Sequence, residues 1–419
     1  MTIVGSREHD VALPELTASG DKASPFWVVA LVLLGYAGYY KGSPLASWAP
    51  IDITVALASV VFLGIGIRVV RSRVLPLMPI TRLAITFVAF LPGLAFATST
   101  TKVVLLFTIT LACAVSPCLF VDPAAPRWWL GANVAGAGAM CIAAAVFPNQ
   151  ETWKLYGRLA LEGGDTIGTG RVIGAGVVVL AALTISTSRL RALTLGAALA
   201  GFVGLAAVGS RGPLGGVIIA TLGAMLLARR LRGRRAGALV GVSALAAVAW
   251  YLASYFQTGG SERIGQFLSG DSGDAGRNGL AAAALSRIGR DPLGMGWGGF
   301  EALGLTSAGR PLKYPHNITL EIAVEGGWIA AAGFIALMIF ALAGYVRNSR
   351  TPEGMAALAL GTYWIVVAHS SSDVNGNRMT WISIAIGLAT LGSGTLTKRH
   401  RTAGEPVEPR PQPATAEAR

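Results

Sequence analysis

The sequence is poor in charged residues and in cysteine, and each shortage excludes a class of protein. Only 13% of the 419 residues are Asp, Glu, Lys or Arg, whereas a soluble protein carries roughly a quarter. The three cysteines lie within apolar runs, without pairing or metal-ligand spacing, so neither a disulfide framework nor a cysteine metal site is expected. What remains is 53% hydrophobic, with a mean hydropathy of +0.59.

Long apolar runs predict an all-α, polytopic membrane protein with about 12 transmembrane helices. The runs cover residues 26–40, 51–70, 80–97, 102–121, 128–147, 171–187, 191–208, 213–229, 236–256, 318–346, 354–371 and 379–397. Runs of roughly 17–25 residues suit helices that cross a bilayer, and they lack the alternation of barrel strands. Residues 26–397 are therefore predicted to form one transmembrane domain, between disordered tails at 1–25 and 398–419.

The net charge of +13 comes mainly from short connectors between apolar runs, so it indicates membrane orientation and argues against nucleic-acid binding. The basic connectors, among them the arginine cluster at 229–235, are predicted to face the cytoplasm. Both termini then lie in the cytoplasm, and no cleavable signal peptide is expected. Two long connectors, 148–170 and 257–317, are predicted to lie outside. The larger one precedes the tenth helix, and its stretch Asn278–Arg290 predicts a short helix at the membrane surface.

Residues with chemical potential collect on the predicted outer side. They are Arg211 at a helix junction, Arg277, Arg287 and Arg290 in the large loop, His316 and Asn317 at its end, Glu321 and Glu325 on the next helix, and Asp373 and Arg378 in the turn 369–378. Arginine binds phosphate oxygens bidentately, and histidine exchanges protons near neutral pH. This set suits a phosphorylated, lipid-anchored substrate.

Structural explanations compete with these functional ones. Arg211 could instead be an interfacial arginine that extends its charge to the membrane surface. His316 could merely precede a helix that is capped by Asn317. Asp373 and Arg378 could form an ion pair with each other. Glu321 and Glu325 lie one turn apart inside the membrane, where carboxylates need a cavity or a partner.

Two signals for other chemistry are rejected. The stretch at 294–299 matches G-x-G-x-x-G but has no βαβ unit around it, so it does not predict a dinucleotide site. The predicted outer loops hold neither an Asp-x-Asp motif nor a His/Cys cluster. No metal site is therefore expected, and arginines would have to neutralise a departing diphosphate.

Three motifs between about 195 and 380 resemble the O-antigen ligase/polymerase family of bacterial membrane glycosyltransferases. The first is Ser-Arg-Gly at 210–212. The second is Arg277, followed by a short helix and a Pro-Leu-Gly-x-Gly turn at 292–296, although this helix lacks the aromatic residue that the family often has. The third is His-Asn-x-x-Leu-Glu at 316–321, followed by Glu-Gly-Gly at 325–327.

The resemblance implies a GT-C-like fold in the bacterial plasma membrane, with an extracytoplasmic active site. It implies transfer of a glycan from a polyprenyl (undecaprenyl or decaprenyl) diphosphate carrier, without cofactor or metal. Arg211 and His316 would be the essential pair, Arg277 would act at the diphosphate, and Asp373 would assist.

Lipid, polysaccharide and protein remain open as acceptors, and a ligase is favoured slightly over a polymerase of repeat units. From a different class, a flippase or transporter is disfavoured because the polar residues gather at one interface and not at mid-membrane.

Overall fold

The computed structural model describes residues 24–47, 51–71, 75–122, 126–187, 190–228, 251, 275–307, 310–371 and 373–403. Its helices are α1 (Pro25–Tyr40), α2 (Pro44–Ser47), α3 (Ile53–Arg71), α4 (Leu77–Ala89), α5 (Thr100–Leu105), α6 (Leu111–Phe120), α7 (Arg127–Val146), α8 (Gln150–Tyr156), α9 (Thr166–Ser186), α10 (Arg191–Val208), α11 (Arg211–Leu227), α12 (Ala275–Arg290), α13 (Ile318–Asn348), α14 (Pro352–Ala368) and α15 (Arg378–Ala403). A 3-10 turn (Leu91–Leu94) extends α4, a π turn (Leu106–Thr110) joins α5 to α6, and a 3-10 turn (Gly299–Leu303) follows α12. Thr306–Ser307 and Arg310–Pro311 form a small antiparallel ribbon.

The chain is a polytopic helical membrane protein. Among the described residues, seven helical stretches are long and apolar enough to cross a membrane, and α1, α11, α14 and the Arg378–Leu391 part of α15 are shorter apolar helices. These coincide with eleven of the predicted runs. The run predicted at 236–256 lies outside the described residues except for Tyr251, so the count of twelve stays a prediction.

Two boundaries differ from the prediction for local reasons. Helix α9 begins at Thr166 and not at 171, because the carboxylate of Asp165 accepts the Gly168 N–H at 2.5 Å and caps the helix. Helix α15 continues to Ala403, six residues beyond the predicted end of the last apolar run, and the disordered tail predicted at 398–419 stays a prediction. The sequence there contains no helix breaker before Gly404.

The connectors predicted to lie outside meet at one end of the helix bundle, called here the site end. Thr98 and Ser99 donate their backbone N–H groups to the Trp297 carbonyl, at 3.0 and 3.2 Å. Arg158 donates to the carbonyls of Val208 and Gly209, each at 3.1 Å. These contacts join the connector after α4, the loop between α12 and α13, the loop between α7 and α9, and the α10–α11 junction.

Contacts at the opposite end involve the remaining helix ends that the structure describes. Arg82 lies 5.0 Å above the ring of Phe340, and Asn348 at the end of α13 donates to the Thr390 carbonyl at 3.0 Å. Thr184 and Thr194 join α9 to α10 at 2.9 Å. The bundle thus separates the two predicted groups of connectors, while the side of the membrane that each end faces stays a prediction.

The helix predicted in the large loop exists and begins at Ala275. Its Leu280 and Ala284 pack with Phe300 and Val324 in a small apolar cluster, whereas Leu285 is 58% exposed. One face of α12 therefore binds the start of α13, which fixes this part of the loop to the bundle.

Candidate active site

A buried lysine lies at the centre of the site end. Lys102 Nζ is 2.5 Å from Glu321 Oε1 and 2.6 Å from Glu325 Oε2, and both carboxylates are fully buried. Buried charges are costly unless they are paired and hydrogen-bonded, so this cation accounts for two acids in the membrane. The lysine joins the start of α5 to the first two turns of α13.

The glycine-rich turn and the Glu-Gly-Gly motif form one unit. Met295 donates its N–H to the Val324 carbonyl at 2.7 Å, and Gly296 donates to the Glu325 carbonyl at 3.0 Å. The Glu325 carboxylate in turn accepts the N–H groups of Gly298 and Phe300, at 3.0 and 3.3 Å. The stretch that resembled a dinucleotide motif is therefore a docking turn on α13.

Helix α13 is interrupted at Gly327, where φ is 84° and ψ is 179°. Non-glycine residues hardly ever adopt this conformation. The interruption lets Trp328 donate its backbone N–H to the Pro292 carbonyl at 3.0 Å. A Cβ at position 327 would lie 2.6 Å from the carbonyl carbon of Leu293, so only glycine fits here.

His316 lies directly before Asn317, the N-cap of α13, and among the described residues it is the non-glycine residue with positive φ, at 57°. Its ring packs edge-on against Tyr314, with centroids 4.8 Å apart. Asn317 caps the helix, because its side-chain oxygen accepts the Leu320 N–H at 3.1 Å. The capping expected from the sequence is confirmed, and a substrate contact by Asn317 stays a prediction.

Arg211 is the first residue of α11. A short series of contacts links this helix start to the start of α13. A Cβ on Gly212 would lie 2.6 Å from Ser370 Oγ, so the start of α11 touches the end of α14. The residue before Ser370 is His369, whose Nε2 atom lies 2.9 Å from Thr319 Oγ1 on the first turn of α13. The start of α11, which carries Arg211, and the first turn of α13, which follows His316, thus both contact the end of α14.

Asp373 and Arg378 do not pair with each other. Asp373 Oδ1 accepts the Gly376 N–H at 2.7 Å, and Arg378 donates to the Leu34 carbonyl at 3.4 Å. The pairing alternative for these two residues is wrong, because their turn folds around its own backbone. Glu321 Oε2 accepts the Val374 N–H at 2.9 Å and ties this turn to α13.

A second buried cation, Arg171, holds the same turn from α9. It is 1% exposed and donates to the carbonyls of Val367 and Ser371, both at 2.6 Å, and to Asn377 Oδ1 at 3.1 Å. Arginine suits this task because its planar group presents several donors in fixed directions. His369, at the start of the same turn, donates its Nδ1–H to the Ile365 carbonyl at 2.7 Å.

The three candidate arginines of the large loop lie on α12. Arg287 is 4.0 Å from Asp291, and both side chains are partly exposed; Arg290 is exposed in the last turn. Arg277 lies in the first turn of the helix. Their roles at a substrate stay predictions.

A cavity of about 360 Å³ opens beside Lys102. It is lined by Ser99, Thr101, Lys102, Leu105, Gly298, Glu301, Lys313, Tyr314, Asp373 and Asn375. Tyr314 joins this cavity to His316 through the ring contact described above. Burial, followed by the charges of Asp373 and Glu321, raises the pKa of the Tyr314 hydroxyl above its usual value.

Sequence reasoning missed Lys102, Arg158 and Arg171, although a signal for each was present. Lys102 and Arg171 stand at the predicted outer ends of apolar runs, and Arg158 stands in a predicted outer loop. The criterion that selected Arg211 therefore applied to them as well. The sequence did not indicate which residues these three cations contact in the folded protein.

Comparison with known proteins supports the family. Residues 195–335 match the family model described as O-antigen ligase, a range that is less than half of the chain and contains Arg211, Arg277 and His316. No curated protein matches the chain. The match supports an O-antigen ligase/polymerase-like membrane enzyme, and that family implies a lipid-linked glycan as substrate in a membrane context.

Proposed function

We propose that the protein transfers a glycan from a polyprenyl diphosphate carrier to a hydroxyl acceptor, at the outer face of a bacterial plasma membrane. The supporting observation is the convergence of the Arg211 and His316 helix starts through Gly212, Ser370, His369 and Thr319. An arginine and a histidine at these two linked helix starts supply the charge stabilisation and the proton acceptor or donor that such a transfer needs.

In this reaction the acceptor oxygen attacks the anomeric carbon opposite the leaving group. The bond from the anomeric carbon to the diphosphate oxygen breaks, and the diphosphate leaves with the electron pair. Arg211 and Arg277 stabilise the charge that grows on it. His316 either takes the hydroxyl proton or donates a hydrogen bond to the phosphate. A single displacement inverts the configuration at the anomeric carbon.

No cofactor enters this proposal, and the arginines take the place of a metal at the diphosphate. Among the described residues, no group of three or more His, Cys, Asp or Glu side chains has the arrangement of a metal site. Activity that persists in excess EDTA is the expected result.

Ligase and polymerase differ in the acceptor and in the product. A ligase attaches one completed glycan, whereas a polymerase extends a chain of repeat units, so gel separation of products distinguishes a single band from a ladder. The flippase alternative predicts glycan crossing the bilayer of reconstituted vesicles without release of free polyprenyl diphosphate.

The decisive variants are Arg211→Ala and His316→Asn in purified protein supplied with polyprenyl-diphosphate glycan and acceptor. Each is expected to reduce release of free polyprenyl diphosphate by at least about 100-fold, the effect of removing one transition-state donor. Asparagine tolerates positive φ better than most residues, so His316→Asn removes the imidazole while sparing the backbone, whereas His316→Ala, also expected to be inactive, adds strain.

Arg191→Ala is the matched control, because Arg191 is likewise the first residue of an apolar helix and is exposed. It lies at the opposite end of the bundle and is expected to retain full activity. Full activity of Arg211→Ala or His316→Asn would refute the mechanism.

A further inference from the structure

The cavity beside Lys102 carries an excess of negative charge. Lys102 and Lys313 supply two positive charges at its wall, and Glu301 and Asp373 supply two negative ones. The carboxylates of Glu321 and Glu325, both bonded to Lys102, add two more. Counted as formal charges, two negative charges remain, and the Lys102 ammonium is paired with its two carboxylates.

Tyr314 lies in the cavity wall, where burial, followed by the charges of Asp373 and Glu321, raises the pKa of its hydroxyl against the opposing effect of Arg171. A diphosphate brought here would meet like charges at close range, which is unfavourable in a site of low dielectric. The cavity is thus unsuited to the phosphorylated part of a substrate.

The remaining wall groups match a ligand rich in hydroxyl groups. Ser99 and Thr101 carry hydroxyls, Asn375 an amide, and Glu301 and Asp373 carboxylates that accept hydrogen bonds. The ring of Tyr314 adds an apolar surface. The volume of about 360 Å³ falls within the roughly 300–1,000 Å³ of small-molecule sites.

Arg211 is not among the residues that line the cavity. His316 contacts Tyr314 in the cavity wall, and the helix that follows His316 is linked to the start of α11 through Thr319, His369 and Ser370. A substrate that has a neutral end and an anionic end can span this arrangement with its reacting bond near His316.

We propose that this acidic cavity binds a sugar ring of the glycan substrate that carries no acidic groups. The cavity repels the diphosphate, which is thereby directed toward Arg211. The inference rests on the proposed function for the origin of the sugar. The binding itself depends only on the cavity and is measured without any transfer reaction.

The test uses Thr101→Cys in the full chain, purified in detergent with EDTA. Thr101 is exposed at the cavity wall. The native Cys113 and Cys118 are buried and Cys141 is partly buried, so the unsubstituted chain supplies the background rate. Labelling rates are measured with a cationic and with an anionic methanethiosulfonate reagent. Methyl hexosides and inorganic pyrophosphate, at matched ionic strength, serve as competing ligands.

Ser47→Cys is the matched control. Ser47 lines a smaller cavity of about 180 Å³, where Lys41 and Asp52 balance each other. Relative to this control, the cationic reagent is expected to be favoured about tenfold at Thr101→Cys, as focusing of counter-ions in a charged cleft provides. Glu301→Gln, at a side chain that is 46% exposed, should lower that preference.

A neutral methyl hexoside is expected to slow labelling at Thr101→Cys about twofold at millimolar concentration, as half occupancy of a weak site requires, and pyrophosphate is expected to leave it unchanged. Protection by pyrophosphate alone, or by no hexoside of the panel, would overturn the inference while leaving the transfer reaction intact. Protection by a hexoside in a protein that releases no polyprenyl diphosphate would instead support the sugar site and reject the proposed function.

Discussion

At the residue scale, Lys102 has the largest expected effect on stability. Its ammonium is paired with two fully buried carboxylates, at 2.5 and 2.6 Å. Lys102→Met removes the cation and leaves Glu321 and Glu325 as a repelling pair away from water. Loss of one partner of a buried ion pair costs about 3–5 kcal/mol. We expect a clearly lower unfolding midpoint in detergent, measured by heating or by titration with a denaturing detergent.

Lys41→Met is the control, because the Lys41–Asp52 pair has the same distance of 2.5 Å but side chains that are 63% and 32% exposed. Exposed pairs contribute at most about 1 kcal/mol, so this variant should unfold near the midpoint of the unsubstituted chain. Combining Lys102→Met with Glu321→Gln and Glu325→Gln removes the buried charges and should recover part of the loss. Equal midpoints for Lys102→Met and Lys41→Met would contradict this account.

The sequence predicted one half of this buried cluster. Two carboxylates one helical turn apart in an apolar run required a partner or a cavity, and Glu321 and Glu325 have one. The identity of the partner depended on how α5 packs against α13, which no local pattern encodes. Asn317 shows the opposite case, because an N-cap is decided by the four residues of its own first turn and was predicted correctly.

At the element scale, the interruption of α13 at Gly327 controls how the glycine-rich turn docks. Gly327→Ala would place a methyl group 2.6 Å from the Leu293 carbonyl carbon and 2.7 Å from the Pro292 oxygen, at a φ of 84°. The backbone strain alone costs about 1–3 kcal/mol. The Glu325 carboxylate accepts the N–H groups of Gly298 and Phe300, which follow this turn. Because Glu325 also pairs with Lys102, displacement of the turn disturbs the Lys102 ion pair as well. We expect reduced thermal stability together with loss of transfer activity.

Gly138→Ala provides the comparison within an uninterrupted helix. A Cβ at Gly138 of α7 would have nothing within 4 Å, and alanine favours helix more than glycine does by about 1 kcal/mol. Its unfolding midpoint should stay equal or rise. A Gly327→Ala protein with unchanged midpoint and activity would show that the docking does not depend on this backbone conformation.

The limit of prediction for this element is physical. The sequence Glu-Gly-Gly within an apolar run was interpreted as a continuous helix, since two glycines weaken a helix without having to end it. The break arises because the turn that begins at Pro292 occupies the space into which the helix would continue. The Pro292 carbonyl accepts the Trp328 N–H, and Met295 donates its N–H to the Val324 carbonyl. Contacts between segments therefore override the local preference.

At the scale of the whole molecule, the described helices require the chain to return to the site end between α11 and α12. Helix α11 begins beside Ser370, and its Gly223 lies next to Thr362, so it runs along α14 away from the site end. Helix α12 lies at the site end again, where Leu280 and Ala284 pack with Phe300 and Val324. The apolar run predicted at 236–256 falls in this gap, outside the described residues except for Tyr251, so twelve helices with both termini on one side stay a prediction.

This topology predicts which surfaces an impermeant maleimide reaches in intact bacterial spheroplasts. Leu155, 63% exposed on α8 at the site end, should be labelled from outside as Leu155→Cys, because the positive-inside rule assigns the arginine-rich connectors to the cytoplasm. Glu353, exposed near the start of α14 at the opposite end, should react as Glu353→Cys only after permeabilisation. Epitope tags at the two termini should likewise stay inaccessible until permeabilisation, since an even number of crossings returns the chain to its starting side. If one tag is accessible and the other is not, twelve helices are excluded. If Glu353→Cys is labelled from outside while Leu155→Cys is protected, the orientation is inverted and the site end lies in the cytoplasm.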